Sequence, residues 1–188
     1  QDTATFAGAG HSIANRAYTR DDAGEITSQT KTTTYPTATT EVSCYAHDGL
    51  GELTQVFTPG SGADCSTTPS AAVLGGPAPL WDTYTYDTAA GNRTSATVHA
   101  TAGGGSDVTA NYTYPAAGAV RPHAVSTVTG NTSTGAGSYG YDADGNTTSA
   151  PGQTLTYNEN GRVASVTTGA GTQQDVYSAS GSLLLQVD

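Results

Sequence analysis

Six segments of the chain repeat one short pattern, and that repetition constrains the fold more than any other feature. They are YTRDDAGEITS (18–28), YAHDGLGELTQ (45–55), YTYDTAAGNRTS (84–95), YGYDADGNTTS (139–149), LTYNENGRVAS (155–165) and DVYSASGSLLL (175–185). In five of them Asp21, Asp48, Asp142, Asn158 or Ser178 stands three residues before Gly24, Gly51, Gly145, Gly161 or Gly181. Asp, Asn or Ser at the first position of a type I turn accepts a hydrogen bond from the backbone two residues on. Gly at the fourth position supplies the positive φ that closes the turn with a bulge. In the third segment Asp87 is one residue further from Gly91, so its turn must differ.

The flanks of each turn read as strands. Positions one and three residues before the turn share a face, and Tyr84 with Tyr86, and Tyr139 with Tyr141, occupy both. The second residue after the glycine is often aliphatic (Ile26, Leu53, Val163, Leu183), while Arg93 and Thr147 depart from that rule. A tyrosine facing an aliphatic across two strands contributes of order 0.2–1 kcal/mol. Each unit is thus strand, tight turn, strand. A lone hairpin is marginal in water, so the units must stack on one another.

Composition agrees. Hydrophobic residues are 35% and charged residues 12% of the 188, with 24 Gly. Thr, Val and Tyr favour strands and Gly favours turns, and no amphipathic helix of convincing length is found. The expected fold is all-β, a sheet of tandem hairpins. The connections vary. The stretch 58–80 holds four prolines and interrupts the strand pattern, while Ala100 to Asp107 and Thr129 to Ser138 read as flexible tips. The run NYTYPAAGAVRPHAVSTVTG keeps the alternation at Tyr112 and Tyr114 but puts Pro115 at the turn position, a degenerate seventh unit.

The formal charge of −10 with six Lys and Arg argues against a nucleic-acid partner. No apolar run approaches the ~20 residues that span a bilayer. Gln1-Asp2-Thr3 lacks the charged start and apolar stretch of a signal peptide. Met is absent and SGSLLLQVD reads as a strand cut in its middle, so the chain is expected to be a fragment of something longer. Cys44 and Cys65 have one intrachain pairing open to them. A bridge would close a loop of about 20 residues and stabilise by roughly 3 kcal/mol; two reduced, partly buried thiols are the alternative.

YDADGNTTS (141–149) approaches a calcium-loop pattern through Asp142, Asp144 and Asn146. Gly145 comes before Asn146 instead of after it, and Gln153 stands where a bidentate Glu should. A plain turn is the expected reading. His11, His47, His99 and His123 are scattered without metal-ligand spacing, and no zinc or catalytic role is expected of them; His47 takes the strand position of a repeat tyrosine, so packing is its default role. No nucleophile elbow occurs, and AGGGSD lacks the Lys of a phosphate loop. No metal site, cofactor or catalytic residue is therefore expected. Asn92, Asn111, Asn131 and Asn146 each begin an N-x-[ST] sequon. Tyr84, Tyr86, Tyr139 and Tyr141 line a sheet in one reading and stack on sugar rings in the other.

A tyrosine, an aspartate, two residues, a glycine, a polar residue and an aliphatic, in irregular tandem, resemble the YD repeat. Proteins of the Rhs (rearrangement hotspot) type carry it, as do wall-associated proteins of Gram-positive bacteria and animal teneurins. RPHAVSTV (121–128), followed by YGYDADGN and TLTYNENGRVASV, resembles the stretch before the core-ending region of bacterial Rhs proteins. CYAHDGLGELTQVFTPGSGADC with AAVLGGPAPLW resembles large secreted Rhs proteins of actinobacteria. The resemblance implies a sheet strip that spirals into a hollow shell. In toxin-bearing members that shell encloses a C-terminal effector, and a plug region cuts the effector free by self-proteolysis with aspartates. The sequence matches neither that protease motif nor an effector, so no catalytic residue is carried over. Six units are too few to close a shell alone.

The resemblance implies a structural segment, secreted or at the cell surface. Its partners would be the remainder of an Rhs-type polypeptide, an enclosed toxin, or other copies of the chain through open sheet edges. An extracellular scaffold, filament or glycan-binding adhesin is the alternative.

Overall fold

The computed structural model describes residues 2–5, 12–34, 37–131 and 135–188. His11 and the centre of the expected tip at 129–138 lie outside them. The described chain is all-β, without a helix. Its strands are β1 (Asp2–Thr5), β2 (Ser12–Arg20), β3 (Ile26–Thr33), β4 (Thr39–His47), β5 (Leu53–Phe57), β6 (Trp81–Tyr86), β7 (Arg93–Val98) and β8 (Val108–Thr113). There follow β9 (Thr127–Gly130), β10 (Gly137–Ser138), β11 (Gly140–Tyr141), β12 (Thr147–Ala150), β13 (Gln153–Tyr157), β14 (Val163–Thr168), β15 (Gly171–Tyr177) and β16 (Leu183–Val187). Strands β1 to β10 pair in sequence order in one sheet, and β11 to β16 in a second. This succession follows from hairpins alone, since a two-strand unit with a tight turn can only place its strands side by side.

Contacts divide the chain into two compact units, Gln1–Tyr86 with Arg93–Thr109, and Asp87–Asn92 with Ala110–Asp188.

In the first unit, β4, β5 and β6 carry the core. Ser43, Cys44, Phe57 and Thr58 are all under a tenth exposed. Cys44, Phe57 and Trp81 stand opposite one another across three strands, so their side chains share a face. The proline-rich stretch 58–80 folds back as a hairpin. Gly75 donates to Thr58 O at 3.0 Å and Gly60 to Val73 O at 2.8 Å. Thr58 Oγ1 accepts from Leu80 N at 2.9 Å, and Glu41 Oε2 accepts from Ala78 N at 3.1 Å. A Cβ on Gly75 would stand 2.4 Å from Gly60 Cα, so the two arms meet backbone to backbone. A Cys44–Cys65 disulfide joins the far part of this hairpin to β4.

In the second unit, β8 and β9 form the degenerate seventh hairpin, with Asn111 opposite Thr129 and Tyr112 opposite Val128. Its long loop turns twice, at Ala116–Ala119 and at Arg121–Ala124. Residues 137–141 then serve two neighbours. Gly137 and Ser138 pair with β9, and Gly140 and Tyr141 pair with β12. Ala110, Val128 and Asn92 are buried here, and no residue of 135–188 is.

Candidate functional site

The six turns are one device. The glycine amide donates to the carbonyl of the turn residue in all six units, from Gly24→Asp21 O at 3.1 Å to Gly181→Ser178 O at 2.9 Å. The turn residue's amide in turn donates to the residue just after the glycine. The six glycines have φ between 67° and 91°, where a side chain is strained. Each hairpin register shifts by one residue just before the turn, at Thr19/Arg20, Ala46/His47, Thr85/Tyr86, Gly140/Tyr141, Thr156/Tyr157 and Val176/Tyr177. This is the bulge that a positive-φ glycine produces.

The side chain at the turn position completes the device. Asp142 Oδ1 accepts from Asp144 N at 3.0 Å and Asn146 N at 2.9 Å, while Oδ2 accepts from the Asn146 amide at 3.0 Å. Asp21, Asp48 and Asn158 repeat the pattern with their own turns. In the longer third unit, Asp87 reaches Ala89, Ala90 and Asn92. At Asp48, Asp87 and Asp142 these bonds favour the ionised form. The Asn146 amide above all holds the Asp142 carboxyl below the usual range, and the Glu52 and Leu50 amides do so for Asp48. Asp142 is thus spent on its own turn. Among the described residues no group of three or more His, Cys, Asp or Glu is placed to hold a metal ion.

In four units the residue before the turn reaches back to the preceding hairpin or its loop. Tyr86 donates its hydroxyl to Leu53 O at 2.9 Å, and Tyr157 to Thr147 O at 2.9 Å. Both acceptors are the second residue after the preceding unit's glycine. Tyr141 reaches back to Val125 O at 2.8 Å. His47 takes this position in the second unit, and its Nδ1 lies 3.4 Å from Glu25 Oε2 of the first. Burial raises the Tyr86 phenol above its ordinary value, so it stays a donor. Tyr84, also raised by burial, donates to Asp82 at 3.4 Å and lies beneath the Arg93 guanidinium, 5.6 Å from the ring centre.

Sequence reasoning missed a second set of links, made by the residue after the glycine. Glu25 sits over Gly51 of the next turn, 2.5 Å from where a Cβ would be. Asn92 donates to Pro122 O at 2.9 Å, and its carbonyl faces His123 Nδ1 at 2.8 Å. Arg162 donates to Gly181 O and stacks on Tyr177, 5.6 Å from the ring centre. Arg121, which follows Val120 and is the one described non-glycine with positive φ, makes a further link by donating to Asp142 O. The signal was there as long polar residues following glycine, but a single position of mixed chemistry has no pattern to follow.

Two features could contact a ligand. Tyr112, Tyr139, Tyr141, Val128, Gln153 and Leu155 line most of a cleft of about 470 Å³ without a charged side chain. Tyr139 donates to Gly135 O at 2.8 Å, which fixes its ring along the cleft. Tyr84 and Tyr86 belong to the first compact unit, and Tyr139 and Tyr141 to the second. The second feature is a chain of polar groups on β6 and its neighbours. Thr83 Oγ1 lies 2.9 Å from His99 Nε2, and His99 Nδ1 lies 2.8 Å from Asp107 Oδ2. The imidazole stacks on Trp81, with ring centres 3.8 Å apart and planes at 18°. Asp107 Oδ1 accepts from Ala100 N at 2.8 Å, which is the main reason its carboxyl is held low.

No protein-family model matches the chain, and no curated protein matches it.

Proposed function

We propose that this chain is a structural segment of an Rhs-type YD-repeat shell that encapsulates or presents a toxin, exported to the cell surface or beyond. The observation that carries the reading is a link from one hairpin to its predecessor that recurs at one repeat position. Tyr86 to Leu53 O and Tyr157 to Thr147 O are the same bond made at the same repeat position. A unit that donates backward from one fixed position can be added again and again without changing the device. Such a chain gains stability from nearest neighbours, as repeat proteins do, and suits a wall better than a reaction centre. Its partners are further repeats of the same polypeptide, or other copies joined edge to edge through strands such as β16, all five of whose residues are exposed.

The test is the full reading frame and its product. The shell reading expects many further repeats and a variable C-terminal region that co-purifies with the repeats after cleavage. Long fibres of purified chain under the electron microscope, with no enclosed product, would favour a scaffold instead.

A second reading, a glycan-binding adhesin, is favoured by the uncharged tyrosine cleft. A pyranose presents an apolar C–H face to aromatic rings and hydroxyls to groups such as Gln153. Glycan-array binding that is lost in Tyr139→Ala and Tyr141→Ala is the expected result of this reading. Binding unchanged by both substitutions would remove it.

A further inference from the structure

We propose that Thr83 is an activated hydroxyl that accepts an acyl group from an activated ester or thioester, with His99 as its base. Hydroxyls abound in this chain, and many bond to one another. Thr85 bonds to Thr94 and Ser95, Thr97 to Thr109, Thr156 to Ser165, and Thr167 to Thr172. Thr83 differs by bonding to an imidazole at 2.9 Å. A hydroxyl is a weak nucleophile until an adjacent base takes its proton.

The base is oriented by two neighbours, one of them fixed in turn by a backbone amide. Asp107 faces Nδ1 at 2.8 Å, so in the neutral ring the proton sits on Nδ1 and Nε2 is left to accept from Thr83. Trp81 stacks against the ring and fixes its plane. Ala100 N–H in turn fixes the Asp107 carboxylate and helps to keep it ionised. Nucleophile, base and orienting carboxylate stand in the order that hydrogen-bonded acyl-transfer sites require. Gln55 lies directly opposite Thr83 across β5 and β6, so it projects to the same face. Its carboxamide N–H is the donor for the oxyanion that forms when a carbonyl is attacked beside Thr83.

The step balances without any further reagent. Thr83 Oγ1 attacks the carbonyl carbon as its proton passes to His99 Nε2. The carbon–oxygen or carbon–sulfur bond to the leaving group then breaks. The leaving alkoxide or thiolate takes the proton from His99, and the acyl group stays on Thr83 as an ester. None of this depends on the shell reading, and its failure would leave that reading untouched.

The experiment treats the folded chain with p-nitrophenyl acetate at mildly alkaline pH and locates acetyl groups by peptide mass spectrometry. Thr83 is expected to label ahead of the other Ser and Thr residues. His99→Gln is expected to slow that labelling about a hundredfold. Asp107→Asn, which acts through His99, should slow it and change its pH profile, while Thr83→Ser should retain it. Wild-type chain unfolded in urea serves where a variant fails to fold, and should lose the preference for Thr83. Acetyl groups spread over many hydroxyls alike in the folded and unfolded chain would overturn the proposal. So would Thr83 labelling that is unchanged in a folded His99→Gln variant.

Discussion

In β4–β6 the segment from Thr58 to Leu80 folds back on its own root, and Ser43, Cys44, Phe57 and Thr58 all fall under a tenth exposed. Along 135–188 the same hairpin unit is repeated without such an insertion, and no residue is buried. Leu183, Leu184 and Leu185 are 51%, 66% and 55% exposed there. The backbone bonds of the turns are alike in both regions. The difference lies in what covers the strands. A turn device fixes register and direction, but apolar surface removed from water supplies most of the favourable free energy. The insertion, which breaks the repeat in the sequence, gives its region the burial that the bare repeats lack.

The sharpest way to break this comparison is to empty the covered region. Phe57→Ala is expected to cost about 3–5 kcal/mol, read as a lowered urea midpoint. Leu155→Ala, at a half-buried site in β13, should cost less than half as much. Equal losses would mean that the insertion adds no core. Next in size is the covalent tie. Cys65→Ser should lower stability by about 3 kcal/mol, with amide exchange in β4 and β5 faster and exchange in β13–β15 unchanged.

Smaller again are the tyrosine links, which both regions share. Tyr86→Phe and Tyr157→Phe each remove one bond to a neighbouring hairpin, with an expected cost of about 1 kcal/mol apiece. A cost at only one of the two would confine the link to that region. The smallest effect is in pH. The folded carboxyls of Asp48 and Asp142 are held low by their turn amides. Their stabilisation is therefore present above the ordinary carboxylate pKa and lost as pH falls through the lowered values. The Asn158 and Ser178 turns have no charge to lose. Corrected amide exchange at Gly51 and Gly145 should quicken on acidification, and exchange at Gly161 and Gly181 should not.

The hairpins and their turns were legible in the sequence because they are local. An Asp and a Gly three residues apart dictate one turn, and six copies make the reading redundant. Asp87 to Gly91 was also legible as a departure, since one extra residue must change the hydrogen bonds. The insertion was not, because its fold depends on Gly60 meeting Gly75 and on Cys65 reaching Cys44, which no local pattern encodes. The spacing of Cys44 and Cys65 allowed a bridge without requiring one. The tyrosine cleft was half legible. Tyr139 and Tyr141 share a face by alternation, but Tyr112 and Gln153 join them only through strand pairing. Thr83, His99 and Asp107 were invisible for the same reason, being separated in sequence and brought together by β6, β7 and the start of β8.

Native-state hydrogen exchange, read residue by residue, tests most directly whether the insertion makes the core of an otherwise thinly covered repeat. The slowest amides are expected at Cys44, Phe57 and Thr58, with those of β13–β15 markedly faster and those of β16 fastest. Protection that is uniform along the hairpins, or greatest in β13–β15, would contradict that account.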